Sequence, residues 1–311
     1  MTPEGAGPQA PGAAPLPPTG HRRPPSGLAA IEVRGVRLAF EDRPILDGLS
    51  LQVMAGERMV ILGSSGGGKT TLLRVMLGVY PPDAGEVRVF GRNIATIGEE
   101  ELNALRRRWG VVFQNGALYN SMTVGENVAL PLRENTQLDD NIISVMVRMK
   151  LDLVGMRDCE DLKPAQLSGG MAKRVGLARA IALDPEILFY DEPTTGLDPI
   201  TAGAIMALVN DLAQKSGSTS VIVTQDMRCA FTCADRIALL WAGRVHALGS
   251  PEEIRSSADP LVRQFIAGEP DGPIPFRLGR GDFAGPLLGR PGERPGPGRP
   301  AVPEEPPKAR N

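Results

Sequence analysis

From Ile31 onward, apolar positions fall into short runs separated by turns and by segments of helical spacing. IEVRGVRLAF (Ile31–Phe40), a turn through Glu41 to Arg43, and LSLQV (Leu49–Val53) predict two or three antiparallel strands. MVILG (Met59–Gly63) is continuously apolar, as a strand buried on both faces must be, and TLLRVMLG (Thr71–Gly78) after it has helical spacing. The turn PPDAG then leads into the strand-like EVRVFG (Glu86–Gly91).

A helical block begins near Glu99 and runs to about Ala182, interrupted by VVFQNGALY (Val111–Tyr119). ILFYD (Ile187–Asp191) reads as another buried strand, ITAGAIMALVNDLAQK as a helix, VIVTQ (Val221–Gln225) as a strand and MRCAFTCAD as a short helix. RIALL and RVHALG form a hairpin around Trp241 to Gly243, and PEEIRSS starts a helix with proline in its first turn. This order predicts an α/β fold with a mostly parallel central sheet.

The Pro/Gly-rich flanks set the domain limits. Residues 1–27 and the end from about Gly279 to Asn311 carry too little apolar surface to offset the entropy of ordering, so both are expected to be disordered. One domain over residues 28–267 is expected, with a helical subdomain over about 98–183 and a partly disordered extension over 268–311. A formal net charge of −2 argues against a nucleic-acid partner held by a broad basic surface. No run is long and apolar enough to span a membrane, so the chain is expected in the cytoplasm, docked on membrane proteins if at all. Cys229 and Cys233 are spaced to share a helix face. With only His21 and His246 as further soft ligands, they read as half-buried thiols rather than a metal site.

The chemistry concentrates first in GSSGGGKT, which fits G-x-x-x-x-G-K-[ST] between a buried strand and a helix. Gly63, Ser64, Ser65, Gly66, Gly67 and Gly68 would wrap backbone N–H groups around phosphate oxygens, and Lys69, Thr70 and Thr71 open a helix whose positive dipole end adds to them. Lys69 would reach the β- and γ-phosphates, and the Thr70 hydroxyl would ligate Mg²⁺. ILFYDE supplies the matching carboxylates. Asp191 at a strand end would hold Mg²⁺ through water, and Glu192 beside it would act as general base on the attacking water.

The run LSGGMAKRVGLARAIALDPEILFYDEPTTGLDP (Leu167–Pro199) strongly resembles the ABC-transporter ATPases, and the likeness extends from about Ile31 to Ala267. It implies a P-loop NTPase of the ABC type: a mixed central sheet, an antiparallel β subdomain and a helical subdomain. It further implies that Phe40 stacks on adenine, with a core phenylalanine as the alternative. Gln114 would sense Mg²⁺ and the attacking water, Ser168, Gly169 and Gly170 would close over the γ-phosphate of an opposite subunit, and Asp198 would line the dimer seam. With one phosphate loop and one signature per chain, a homodimer enclosing two ATP molecules is the simplest working unit. Permease subunits would dock on the helical block, with Leu118, Tyr119 and Met122 either forming the groove or packing as core.

FQNGALYNSMTVGENVALPLRE, DEPTTGLDPIT and VRQFIAGEPDGPIPFR with GDFAGPLLG after it resemble the ATPases of the Mla/Mce phospholipid-transport systems of the Gram-negative inner membrane. That likeness implies separate permeases, a periplasmic Mce-domain lipid-binding protein, and a C-terminal extension reaching a neighbouring subunit. An importer ATPase for a polar solute shares the catalytic motifs, and a non-transport ABC protein or an ATP binder without turnover are the other readings. One position departs from the family: Gln225 in VIVTQDM stands where a histidine normally touches the γ-phosphate. Glutamine keeps a donor and an acceptor but cannot become cationic, so a working ATPase, slower if the histidine acts as a cation, is expected.

Overall fold

The computed structural model describes residues 27–274 apart from Asp42 and Asn115. The expected tails before residue 27 and after residue 274 therefore lie outside the described residues. Six strands form the central sheet in the order β10-β9-β3-β8-β7-β6. They are β3 (Arg58–Gly63), β6 (Trp109–Val112), β7 (Ile187–Asp191), β8 (Thr219–Thr224), β9 (Arg236–Trp241) and β10 (Arg244–Gly249). Every pairing is parallel except β9 with β10.

The apolar runs are continuous because this sheet is covered on both sides. Val60, Leu62, Leu188, Tyr190, Ile222, Ile237 and Leu239 join a core beneath the helices, while Met59, Ile61, Ile187, Phe189, Val221, Val223, Ala238 and Leu240 join a second core on the other face. Successive strand residues point to opposite faces, so each run feeds both cores.

The second core lies under helix α1 (Lys69–Met76) and an antiparallel sheet. That sheet has the order β2-β1-β4-β5, with β1 (Ala29–Phe40), β2 (Arg43–Met54), β4 (Ala84–Val89) and β5 (Arg92–Asn93). It is tied to the central sheet at Ile45, whose carbonyl is closely approached by Gly68 and Gly243. A Cβ added to either glycine would lie 3.1 Å and 2.6 Å from that oxygen, and both have positive φ. Next to it, the Asp47 N–H donates to the Gly243 carbonyl at 3.0 Å.

The helical block comprises α2 (Glu99–Arg106), α3 (Val124–Asn135), α4 (Asp140–Leu153) and α5 (Gly169–Ala180). Thr123 caps α3 with a reciprocal box to Glu126. The fold continues through α6 (Pro199–Ser216), α7 (Met227–Cys233), α8 (Pro251–Arg255) and α9 (Pro260–Ala267).

Several details differ from the sequence expectation. The strand read as VIVTQ ends at Thr224, because the Asp226 side chain accepts from the N–H groups of Arg228 and Cys229 and starts α7. Trp241 completes β9 instead of opening the turn. Cys229 and Cys233 are fully buried, not half-buried, since α7 packs that face onto the sheet. α9, absent from the sequence reading, is capped by Asp259, and its buried Gln264 accepts from the Ile274 N–H at 2.6 Å and donates to the Ile274 carbonyl at 3.0 Å.

Gly110 in β6 touches the neighbouring backbone: a Cβ there would lie 2.3 Å from the Ala180 carbonyl oxygen and 2.7 Å from Leu188. Gly110→Ala is expected to destabilise the fold by about 1–3 kcal/mol through overpacking. A lowered midpoint in urea, with unchanged slope, checks it.

Candidate functional site

Parallel strands deliver their C-terminal ends to one edge, and that edge gathers the candidate residues. Gly63 ends β3, Gln114 follows β6, Asp191 ends β7 with Glu192 next, and Gln225 follows β8. The loop after β3 has Gly68 at φ +92°, a conformation that L side chains rarely adopt, directly before α1.

Within the loop, the Lys69 ammonium donates to the carbonyls of Gly63 and Ser64 at 3.0 and 2.9 Å and lies 3.6 Å from a Glu192 oxygen. Lys69 is only 5 % exposed and Glu192 8 %. Thr70 donates to Asp191 at 3.0 Å, joining the helix start to the strand end. Burial pushes the Asp191 carboxyl above its ordinary pKa, and the Thr70 hydrogen bond partly opposes this.

A threonine hydroxyl and a carboxylate side by side are hard oxygen donors of the kind Mg²⁺ takes, and Gln114 is exposed just after β6, the strand next to β7. The donor set therefore fits the ion that the sequence reading calls for.

Glu192 has φ +50°, in the left-handed region, where a non-glycine residue costs on the order of 1 kcal/mol or more. Its N–H donates to the Val223 carbonyl at 2.9 Å. Its carboxylate accepts from the Thr195 hydroxyl at 3.1 Å, the Thr224 hydroxyl at 3.4 Å and the Gln225 backbone N–H at 3.3 Å. Gln225 thus meets Glu192 through its main chain, and its side chain is exposed.

The remaining candidates form a second group. Ser168 caps α5 by accepting from the Met171 N–H, and Asp198 caps α6 by accepting from Ile200 and Thr201, which holds its carboxyl below the ordinary range. A Cβ at Gly170 would lie 2.6 Å from the Thr201 methyl, so the two helix starts are packed together. Ser168, Gly169 and Asp198 are exposed, as is Ile200 at 86 %. Among the described residues no hydrogen bond joins Ser168 or Asp198 to Lys69, Thr70, Asp191 or Glu192. Phe40 stands apart on β1, 45 % exposed, with its ring edge-on to that of Tyr80 at 5.5 Å.

Of the three groove candidates, Tyr119 is 53 % exposed, whereas Leu118 packs against the core and Met122 is half-buried. Buried Asn127 fixes their loop, accepting from the Tyr119 N–H at 2.8 Å and donating to the carbonyls of Tyr119 and Thr123.

Sequence reasoning missed three supports. Lys173 donates to the carbonyls of Glu192, Pro193 and Thr195 at 3.5, 2.9 and 2.6 Å. Arg179 donates to those of Gly116 and Ala117 at 3.0 and 2.8 Å, just past Gln114. Thr224 is the third, buried between Glu192 and the Asp226 N–H. A signal existed for Lys173: it lies three residues after Gly170 and four before Leu177, on the buried face of α5.

A glycine-lined phosphate loop, a carboxylate beside its threonine and a second carboxylate held at the strand end define a nucleotide-hydrolysing site of the P-loop type. The model of the ABC transporter family matches residues 46–195, and the chain belongs to the ABC transporter ATPases. It is 43% identical over 258 residues to the intermembrane phospholipid transport system ATP-binding protein MlaF of Escherichia coli K12, covering 83% of this chain and 96% of that one. MlaF of Haemophilus influenzae is 42% identical, covering 81% of this chain and 96% of the relative. The probable ribonucleotide transport ATP-binding protein mkl of Mycobacterium leprae is 39% identical, covering 82% and 73%.

Among solved structures, the dimeric post-hydrolysis ATP-binding cassette MJ0796 bound to ADP and Pi aligns with a TM-score of 0.66 and 31% identity, over 71% of this chain and 98% of that one. CbiO1 from Clostridium perfringens, part of the complex cbiONQ, aligns with a TM-score of 0.68 and 28% identity, over 78% and 96%.

The raised pKa of Asp191 carries a stability consequence. The folded chain holds that proton more tightly than the unfolded chain, so the cost of the buried charge is absent below the ordinary carboxylate pKa. It is complete once the pH rises past the folded value. In metal-free buffer near neutrality, Asp191→Asn is expected to melt at or above the temperature of the unsubstituted protein while losing Mg²⁺-dependent ATP turnover. A lower melting temperature counts against the assignment of the shift to burial.

Proposed function

We propose that this chain is the ATP-hydrolysing subunit of a phospholipid transporter, working between inner and outer membranes through separate permease subunits. The observation that carries the reading is the 43% identity to MlaF sustained over 96% of that protein's length. The mkl relatives, named as probable ribonucleotide transport proteins, are covered only to 73% and 69%, which leaves a polar-solute importer as the weaker reading. No helix among the described residues is long and apolar enough to cross a membrane. Docking on permeases at the cytoplasmic face of a bacterial inner membrane, with a periplasmic Mce-domain protein as further partner, fits that reading.

In the mechanism, Gly63 to Thr71 cradle the ATP phosphates and Phe40 offers its exposed ring to the adenine. Thr70, Asp191 and Gln114 would hold Mg²⁺, which supplies neutralisation of phosphate charge. Lys69 adds a point charge at the same oxygens. Glu192, fixed by Thr195, Thr224 and the Gln225 N–H, takes the proton of the water that attacks the γ-phosphorus, and ADP leaves with the displaced bridging oxygen.

Ser168, Gly169 and Asp198 form an exposed surface, backed by the buried Gly170 and not hydrogen-bonded to their own phosphate loop, which supports a homodimer in which each signature closes over the partner's ATP. Closing and reopening of that pair would drive the permeases, and Arg179 and Asn127 brace the loop between Gln114 and Thr123 that would meet them.

Purification of the full chain with its permease, followed by mass spectrometry of bound lipid and ATPase assays in vesicles, tests the reading. Co-purifying phospholipid and lipid-stimulated turnover are expected, whereas stimulation by a polar solute without bound lipid overturns it. Gln225 provides a second check. Gln225→His is expected to retain turnover and to add a limb at about pH 6.5 to the kcat profile, which the unsubstituted complex lacks.

A further inference from the structure

Lys173 is a buried cation that no substrate role explains. It is 7 % exposed, on the inward face of α5, and its ammonium spends three donors on the backbone carbonyls of Glu192, Pro193 and Thr195. An ammonium has three N–H groups and no acceptor capacity, and here its short bonds go to Pro193 and Thr195, at 2.9 and 2.6 Å, with Glu192 at 3.5 Å the long one. Burial lowers its pKa, and the nearby Glu192 carboxylate works in the opposite direction.

The three carbonyls belong to one turn, and that turn begins at a residue whose backbone is in the left-handed region. Such a conformation persists only where its surroundings over-determine it. On the N–H side Glu192 is held by the Val223 carbonyl; its own carbonyl accepts from the Thr195 N–H at 3.3 Å and from Lys173 at 3.5 Å, and Lys173 grips the rest of the turn through the shorter bonds to Pro193 and Thr195. A turn that relaxed towards negative φ would rotate the Glu192 side chain out of the cage of Thr195, Thr224 and the Gln225 N–H.

We propose that Lys173 is a positioning residue for Glu192: it holds the left-handed turn that aims the carboxylate, and makes the signature helix and the base loop one body. The inference rests on the reading of Glu192 as general base. It adds a route by which the start of α5, where Ser168 to Gly170 would meet the partner's ATP, is fastened to the base serving the protomer's own ATP. The distance along the helix is one turn, from Gly170 to Lys173.

The test is a double-mutant cycle in the full chain assembled with its permease, combining Lys173→Met with Glu192→Gln. Methionine keeps an unbranched stem in the same packing space and removes the donors. Lys173→Met is expected to lower kcat about tenfold or more while ATP affinity stays within about twofold, because misaiming the base costs rate and not binding. Lys173→Arg is expected to recover most of the loss. In the Glu192→Gln background, already reduced about a hundredfold or more, Lys173→Met is expected to cost little further, since the group it positions is gone.

Equal fold-losses in both backgrounds, joint loss of affinity and rate without rescue by arginine, or an unchanged kcat each overturn the positioning role. Turnover of the single Glu192→Gln protein at the unsubstituted rate overturns the base assignment itself, and is recognised without reference to Lys173.

Discussion

Everything in the site depends on the parallel pairing of β3, β8, β7 and β6 within a sheet buried on both faces. Parallel pairing sends four strand ends to one edge, so residues far apart in sequence meet there without any one loop having to reach far. Burial on both faces fixes the register, because a slip of one residue would exchange the two cores strand by strand. The 3.0 Å bond between Thr70 and Asp191 is the local product of that alignment.

Much of this was legible in the sequence, for physical reasons. An uninterrupted apolar run such as MVILG has few uses outside a covered sheet, and a glycine loop between such a run and a helix has few uses outside phosphate binding. What could not be read is what acts through backbone atoms. The Gln225 side chain invited comparison with a histidine, yet it is the main-chain N–H of that residue that reaches Glu192, and any amino acid but proline supplies one. Lys173 and Arg179 escaped notice for the same reason: their partners are carbonyls, which no residue letter advertises. The antiparallel sheet was read only in part because β5 has two residues, below the length at which alternation is visible.

Within one protomer the site divides into two halves. Lys69, Thr70, Asp191 and Glu192 are joined by direct contacts, whereas Ser168 and Asp198 each cap their own helix and the two helix starts meet through the close packing of Gly170 on Thr201. The halves are linked through α5. α5 carries the signature at its start, a cation for the base loop one turn later, and a second cation for the segment after Gln114 near its end.

The Ile45 carbonyl offers a different kind of consequence. Gly68 belongs to the phosphate loop after β3 and Gly243 to the hairpin turn between β9 and β10, yet both are pressed against this single oxygen. A side chain at Gly243 would push β2 against the glycine that opens α1, so the two positions do not vary independently. Substitutions there should be non-additive, with a change at the hairpin altering what the phosphate loop tolerates. A turn that itself carries none of the phosphate-binding residues thereby becomes part of the mutational constraint on the loop that cradles the nucleotide.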